Sequence, residues 1–389
     1  MAIKFGEIKF IIIFSILIIF TGIVILYINS NYFSGDDFTD TSQLNATRFT
    51  PVLEAKITTG ENLIYSSTFQ MAWNNLCKDT LKGETVEVEN PPNYIKILNN
   101  KIYEPSSISE SSCVATSGTM KEDISDKIEL TMAEKFGYII KLKKVLKKDG
   151  IQVFAFLDKN IKLEGNKVIE KYVNNIYFGT EPVDILYTRF KQYPQNYNIA
   201  ELLYYKDHGC SGPYGTKGYI TFTFKLHTTS KEDELIFSTI PPENTLKETY
   251  EKIVSYSNKF LTENTYECPT TYAIPELNFK LKNAFSELSN KKISNNSFAD
   301  YEIIDSKQAV SFKFVEGKNT HPWRSSYGGT NNGDRCCVIY SPFIIYIRNK
   351  SSDYPSFMAY IANAELLSKK DCQEFLNERN KEDGVENNQ

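Results

Sequence analysis

The chain has 389 residues, enough to bury one large hydrophobic core or two smaller ones. Its net charge of -4, with 24% charged residues and no basic patch with interleaved aromatics, sets nucleic acid aside as a partner. The abundance of 25 Tyr and 25 Phe favours β-rich structure over a helical bundle. The cysteines (Cys77, Cys113, Cys210, Cys268, Cys336, Cys337 and Cys372) show no Cys-x-x-Cys or Cys/His spacing, which argues against a zinc site. Their odd number requires a free thiol or an intermolecular bond, and leaves buried thiols and disulfides both open.

Phe10 to Ile28 is an uncharged, mostly apolar run of 19 residues, long enough to span a bilayer as a helix. Lys4 and Lys9 precede it and Asp36, Asp37 and Asp40 follow, so residues 1–9 are expected on the cytoplasmic side. Residues 29–43 then read as a polar stalk, 44–370 as an extracytoplasmic domain and 371–389 as a polar tail. The competing reading is a cleaved signal peptide and a secreted product; the length of the run and the lack of a small-x-small cleavage site favour an uncleaved anchor. Asn45, Asn295 and Asn349 each open an Asn-x-Ser/Thr triplet, which matters only on a eukaryotic secretory route.

From Asn62 the chain reads as a short strand entering a helix, with Phe69, Ala72, Trp73 and Leu76 on one helical face. Glu87 to Ser125 is polar, contains Pro91-Pro92, and is read as irregular. Glu129 to Leu146 is read as a helix and Val153 to Leu157 as a buried strand. The glycine-rich Asp207 to Gly218 lacks the Gly-Lys-Ser/Thr order of a phosphate loop and is a turn between strands. Strands follow over Tyr219–Leu226 and Glu234–Pro241, then a helix from Leu246 to about Ser255. After a strand over Ile274–Leu281 and a helical turn over Asn283–Leu288 comes Lys307–Gly317, where Val310, Phe312 and Phe314 recur at period two. A polar loop, Lys318 to Arg335, leads into the apolar run Cys337–Arg348, a turn, and a last strand, Phe357–Ile361. Phe343, Ile345 and Ile347 share one strand face that Phe357, Ala359 and Ile361 can oppose.

A strand ending in Glu316-Gly317, an exposed loop, then a buried hairpin resembles the C-terminal closure of a serpin, the serine-protease-inhibitor fold. Pro342, 25 positions after Gly317, fits the loop length of that family. The resemblance extends over Asn62–Thr85, Val153–Asp184 and Tyr219–Ile361. It implies one α+β domain with a large central β-sheet, two smaller sheets and about eight or nine helices, after the N-terminal transmembrane helix. Within it Val168–Phe178 corresponds to a helix with paired aromatics. Three departures stand out: Ser67 occupies a usual Pro position, Phe69 stands near a usual small polar residue, and no Asn-Ala-x-Tyr-Phe-x-Gly-x-Trp strand follows Asp184.

The chain has three histidines, His208, His227 and His321. His208 and Cys210 share a turn without a nucleophile elbow, and the carboxylates are too scattered for an acid–base pair to be chosen. The chain is therefore read as a non-enzyme with neither cofactor nor metal. The resemblance implies that the loop is bait for a protease: once cut, its first half inserts into the large sheet and the protease is trapped as an acyl-enzyme. The corresponding hinge is Glu316, Gly317, Lys318, Thr320 and Pro322, and the bond expected to be cut is Asn331-Asn332, with Arg335 as the alternative. Inhibitory members want small residues at that hinge. Here an inserted strand would bury Lys318, Thr320, Pro322 and Arg324 on one face, with two charges costing several kcal/mol each. Pro322 would also remove a ladder hydrogen bond. The expected role is thus a non-inhibitory, membrane-anchored protein that binds a protease or another protein ligand. A working inhibitor of serine or cysteine proteases through residues 318–335 is the second reading, and an unrelated tethered structural or adhesion domain the third.

Overall fold

Two long strands form the middle of the first sheet: β5 (Gly150–Ile161) and β14 (Glu302–Phe314). Both are apolar on two faces, as strands covered on both sides must be. In the computed structural model, the residues described are 36–100, 108–144, 149–163, 169–177, 182–191, 199–208, 220–263, 271–314 and 336–370. The first sheet runs in the order β1 (Thr39–Asp40), β12 (Asn278–Ala284), β14, β5, β4 (Cys113–Thr119), with the short β13 (Lys291–Lys292) beside β14.

A second sheet has seven strands: β2 (Thr47–Thr50), β3 (Asn62–Ser66), β17 (Phe357–Ile361), β16 (Phe343–Asn349), β10 (Asp233–Ser238), β9 (Ile220–Leu226) and β8 (Ala200–Asp207). A third has four: β15 (Cys336–Val338), β11 (Thr271–Pro275), β7 (Pro182–Lys191) and β6 (Ile169–Tyr177). The α-helices among the described residues are α1 (Thr68–Asn75), α2 (Asn93–Asn99), α3 (Ile124–Phe136) and α4 (Leu246–Glu263). The class is α+β, with three sheets as expected. Those four helices fall short of eight or nine, and the sheet holding β14 has fewer strands than the second.

The layers follow from which side chains each strand turns to each side. Val153, Ala155 and Leu157 of β5 and Val310 and Phe312 of β14 face the main core, shared with Phe343, Ile345 and Ile347 of the second sheet. Alternate residues of that second sheet, among them Leu63, Tyr65, Ile344 and Tyr346, pack under α4 through Leu246, Tyr250 and Ile253. On the outer face of the first sheet, Phe154, Phe156 and Ala309 are covered by α3 and by Phe38, Ile140 and Leu142. Helix α1 is buried in the main core by the expected stripe: Phe69, Ala72, Trp73 and Leu76 have no solvent exposure.

Several segments differ from expectation. Residues 169–177 form a strand, where a helix was expected, paired antiparallel with β7 from Ile169↔Phe190 to Tyr177↔Pro182. Tyr172 and Ile176 are buried, and a spacing of four places two residues on one side in either conformation. The β-branched and aromatic content decides for the strand. The polar stretch from Glu87 to Ser125 contains both α2 and β4. The helix expected over Glu129–Leu146 starts earlier and ends at Phe136, because Gly137 adopts φ +70 and its N–H bonds to Ala133 O at 3.0 Å. Asp36 to Gln43, assigned to a polar stalk by composition, packs on the first sheet, with Phe38 buried.

Cys77, Cys113 and Cys337 are buried, while Cys210, Cys268 and Cys372 lie outside the described residues. Of the three Asn-x-Ser/Thr triplets, only Asn45 is exposed. Asn295 Oδ1 accepts from Glu87 N–H at 3.0 Å and Asn349 Oδ1 from Ser351 N–H at 2.9 Å, both from buried positions. No helix among the described residues is long and apolar enough to cross a membrane; Phe10–Ile28 lies outside them.

Candidate functional site: the seam of the central sheet

β14 is the last described strand before residues 318–335. It ends at Phe314, and the chain next resumes in the third sheet at Cys336, which pairs in parallel with Thr271. Phe314 is anchored by its N–H to Leu277 O at 3.1 Å and by ring contacts with Phe190 and Phe237. The hinge residues Glu316, Gly317, Lys318, Thr320 and Pro322, and the cut-site candidates Asn331, Asn332 and Arg335, lie outside the described residues. What the structure defines is the sheet that β14 belongs to.

The middle of that sheet is a parallel seam. β5 and β14 pair from Glu302↔Gly150 to Phe314↔Ile161, with one irregularity between Ile303 and Asp305. They come from distant parts of the sequence, and the residues between them build parts of the other sheets, so no short βαβ crossover links the pair. A chain leaving the end of β14 and turning back would run antiparallel to both.

Side chains fasten the seam on its outer face. Near one end the opposed residues Gln152 and Asp305 bond across it, Nε2 to Oδ2 at 3.2 Å. Ser125 Oγ of α3 donates to Gln152 Oε1 at 2.8 Å, and Lys307 pairs with Asp305 at 2.9 Å. All these groups are buried or nearly so, and a buried carboxylate is tolerable only when it is paired in this way. Towards the other end the opposed residues are Asp158 and Ser311. The hydroxyl of Tyr138 lies 3.1 Å from Ser311 Oγ and 3.4 Å from Asp158 Oδ1, bridging both strands. Burial pushes the Tyr138 phenol up from its ordinary value, against a smaller opposite effect of Ser311, so the hydroxyl keeps its proton.

On the inner face, Gln308 Nε2 donates to Ser66 O at 2.8 Å and to Thr68 Oγ1 at 3.3 Å. This joins β14 to the junction of β3 and α1. Beyond the seam, Lys159 of β5 reaches Asp233 of β10 at 2.9 Å. That pair borders a cavity of about 190 Å³ with Asn160, Thr228, Thr229 and Ser230 on its wall.

Sequence reading located the strand but missed Tyr138, Gln152, Asp305 and Gln308. Their signal is a polar residue inside an apolar strand run, as in Ile151-Gln152-Val153, where an unpaired amide would be costly. His208, the nearest candidate for nucleophilic chemistry, has Nε2 3.0 Å from Thr221 Oγ1 on the neighbouring strand. Cys210 lies outside the described residues.

No family profile matches the chain, and no curated protein matches it. Among solved structures, it is similar to Serpin48 of the insect Tenebrio molitor, with TM-score 0.46, 10% identity, and 79% of this chain and 92% of that one covered. For human glycosylated kallistatin the values are 0.47, 13%, 79% and 92%. For the mouse protein Z-dependent protease inhibitor they are 0.48, 10%, 78% and 91%. These likenesses concern the fold alone.

Proposed function

We propose that this chain is a membrane-anchored, extracytoplasmic protein of the serpin type that offers the loop 318–335 to a protein partner and does not take that loop into its central sheet. It acts by binding and is not a catalyst. The observation that carries the reading is the closed seam between β5 and β14, fastened by side chains on both faces. Insertion has to break that ladder and its bridges, then bury Lys318 and Arg324 and a proline in their place. The test is to nick the loop with a protease, confirm the site by mass, and compare melting temperatures. An unchanged melting temperature supports the reading, and a large upward shift refutes it.

One feature favours the second reading, a working inhibitor. β5 and β14 are parallel neighbours, so a strand turning back from the end of β14 and entering between them would be antiparallel to each. A covalent complex with a serine or cysteine protease that survives denaturant would establish that reading.

A further inference from the structure

The outer face of the seam is covered by a segment that begins the described chain. Phe38 is buried edge-on against two rings, Tyr138 at 5.5 Å and Phe156 at 5.7 Å. Tyr138 is the residue that bridges Ser311 and Asp158 across the seam. Its ring also carries Lys280 of β12, with Nζ 4.4 Å from the centroid.

The backbone of this segment is tied down on both sides of Phe38. Asp37 N–H donates to Ile139 O at 3.0 Å, and Ile139 N–H returns to Asp37 Oδ2 at 2.7 Å. Asp36 pairs with Lys282 of β12 and accepts from Lys141 N–H at 3.3 Å. Thr39 and Asp40 pair in parallel with β12, and Thr41 Oγ1 donates to Asn283 Oδ1 at 2.6 Å.

We propose that Asp36 to Gln43 is a clasp: by fixing Tyr138 it holds the β5–β14 seam shut, and release of this N-terminal segment loosens the seam. The geometry has the required direction. Phe38 has ring contacts with Tyr138 and with Phe156 of β5, and the Tyr138 hydroxyl is shared between the two strands, so loss of Phe38 acts on the seam through both. Without this segment the Tyr138 ring loses one packed edge, and Ile139 and Lys141 lose Asp37 and Asp36, the partners of their backbone bonds. Ser42 and Gln43 are exposed, so a protease can reach the base of the clasp from solvent. A cut there converts a covered seam into an open one. The inference stands on the sheet geometry and holds whichever fate the loop 318–335 has.

Hydrogen exchange on the full chain, in detergent where needed, tests it. Phe38→Ala should raise exchange of the Val153–Leu157 and Lys307–Phe312 amides by about tenfold or more, with β16 and β17 unchanged. Tyr138→Phe removes only the shared hydroxyl, and should raise exchange at the seam while leaving Asp37 and Thr39 protected. A selective rise at the seam in both variants supports the clasp. A rise confined to residues 36–43 and 138–142, an equal rise in all three sheets, or no change overturns it. Melting of the loop-nicked protein reads the fate of the loop separately, so the two ideas fail independently.

Discussion

Gln308 and Ser66 are 242 positions apart, yet the amide of one donates to the backbone carbonyl of the other at 2.8 Å inside the main core. Gln308 has no solvent exposure, so no water replaces the bond if it is lost. Gln308→Ala should therefore destabilise the domain by about 1–3 kcal/mol, the cost of a buried carbonyl left unpartnered. Urea unfolding measures it. A midpoint equal to that of the parent would mean that β14 is not held to the β3–α1 junction.

The closing hairpin provides a second prediction. Phe343 pairs with Ile361, Ile345 with Ala359 and Ile347 with Phe357, all of them buried. Phe343→Ala should cost about 3–5 kcal/mol, because the site is enclosed and cannot collapse freely. An unaltered unfolding midpoint would place this strand outside the core.

Acid should weaken one cross-strand ion pair. Glu234 of β10 opposes Arg348 of β16, with Nη2 to Oε2 at 2.7 Å, and Lys225 lies 3.4 Å away on the other side. Burial alone would raise the Glu234 carboxyl, but Arg348 and Lys225 outweigh it and hold it below the usual carboxylate value. A lowered folded-state pKa means that the contribution is complete above the unfolded value, about 4.3, and is lost as pH falls through the folded one. Stability measured against pH should thus show Glu234→Gln weaker than the parent at pH 7, with the difference narrowing below about pH 4.3. A difference independent of pH would show that the pair contributes packing alone.

The proposed membrane anchor is tested on the protein itself. The run Phe10–Ile28 and the flanking Lys4 and Lys9 lead us to expect that carbonate washing leaves the protein in the membrane with its N-terminus intact. A soluble product beginning after Ile28 would show cleavage and secretion.

Burial should also silence Cys113. Its thiol is pushed up from the ordinary value by burial, against the opposing charges of Lys135 and Lys159. Alkylation followed by peptide mapping should label this position only after denaturation. Rapid labelling of the native protein would show that the β4 edge opens.

What could be read from the sequence tracks how local the signal is. β16 and β17 were legible because apolar, β-branched and aromatic residues fill them continuously, and α1 because its four apolar positions fall on one stripe. β4 was not: Cys-Val-Ala-Thr-Ser-Gly-Thr lies at a sheet edge, half exposed and full of small residues, and carries little strand pattern. The end of α3 was legible in principle, since Phe136-Gly137 is a helix stop, but the apolar residues beyond it mimic continued periodicity. At the site, the loop and hinge expected from order and spacing lie outside the described residues. The seam was not legible, because each of its bridges is a pairing of residues such as Gln152 and Asp305, and a sequence shows a polar residue in a strand without its partner.

The position of β3 has a consequence for synthesis. Its residues Leu63, Ile64 and Tyr65 are fully buried, and its neighbours are β2 on one side and β17 on the other. β17 leaves the ribosome about 290 residues later, a delay of about 15–60 s at usual elongation rates. Throughout that time one of the most buried strands of the protein has a bare edge and an uncovered apolar face. Nascent chains stalled anywhere before β17 should stay open to proteases at Leu63–Tyr65, and protection should arrive only when the last hairpin docks.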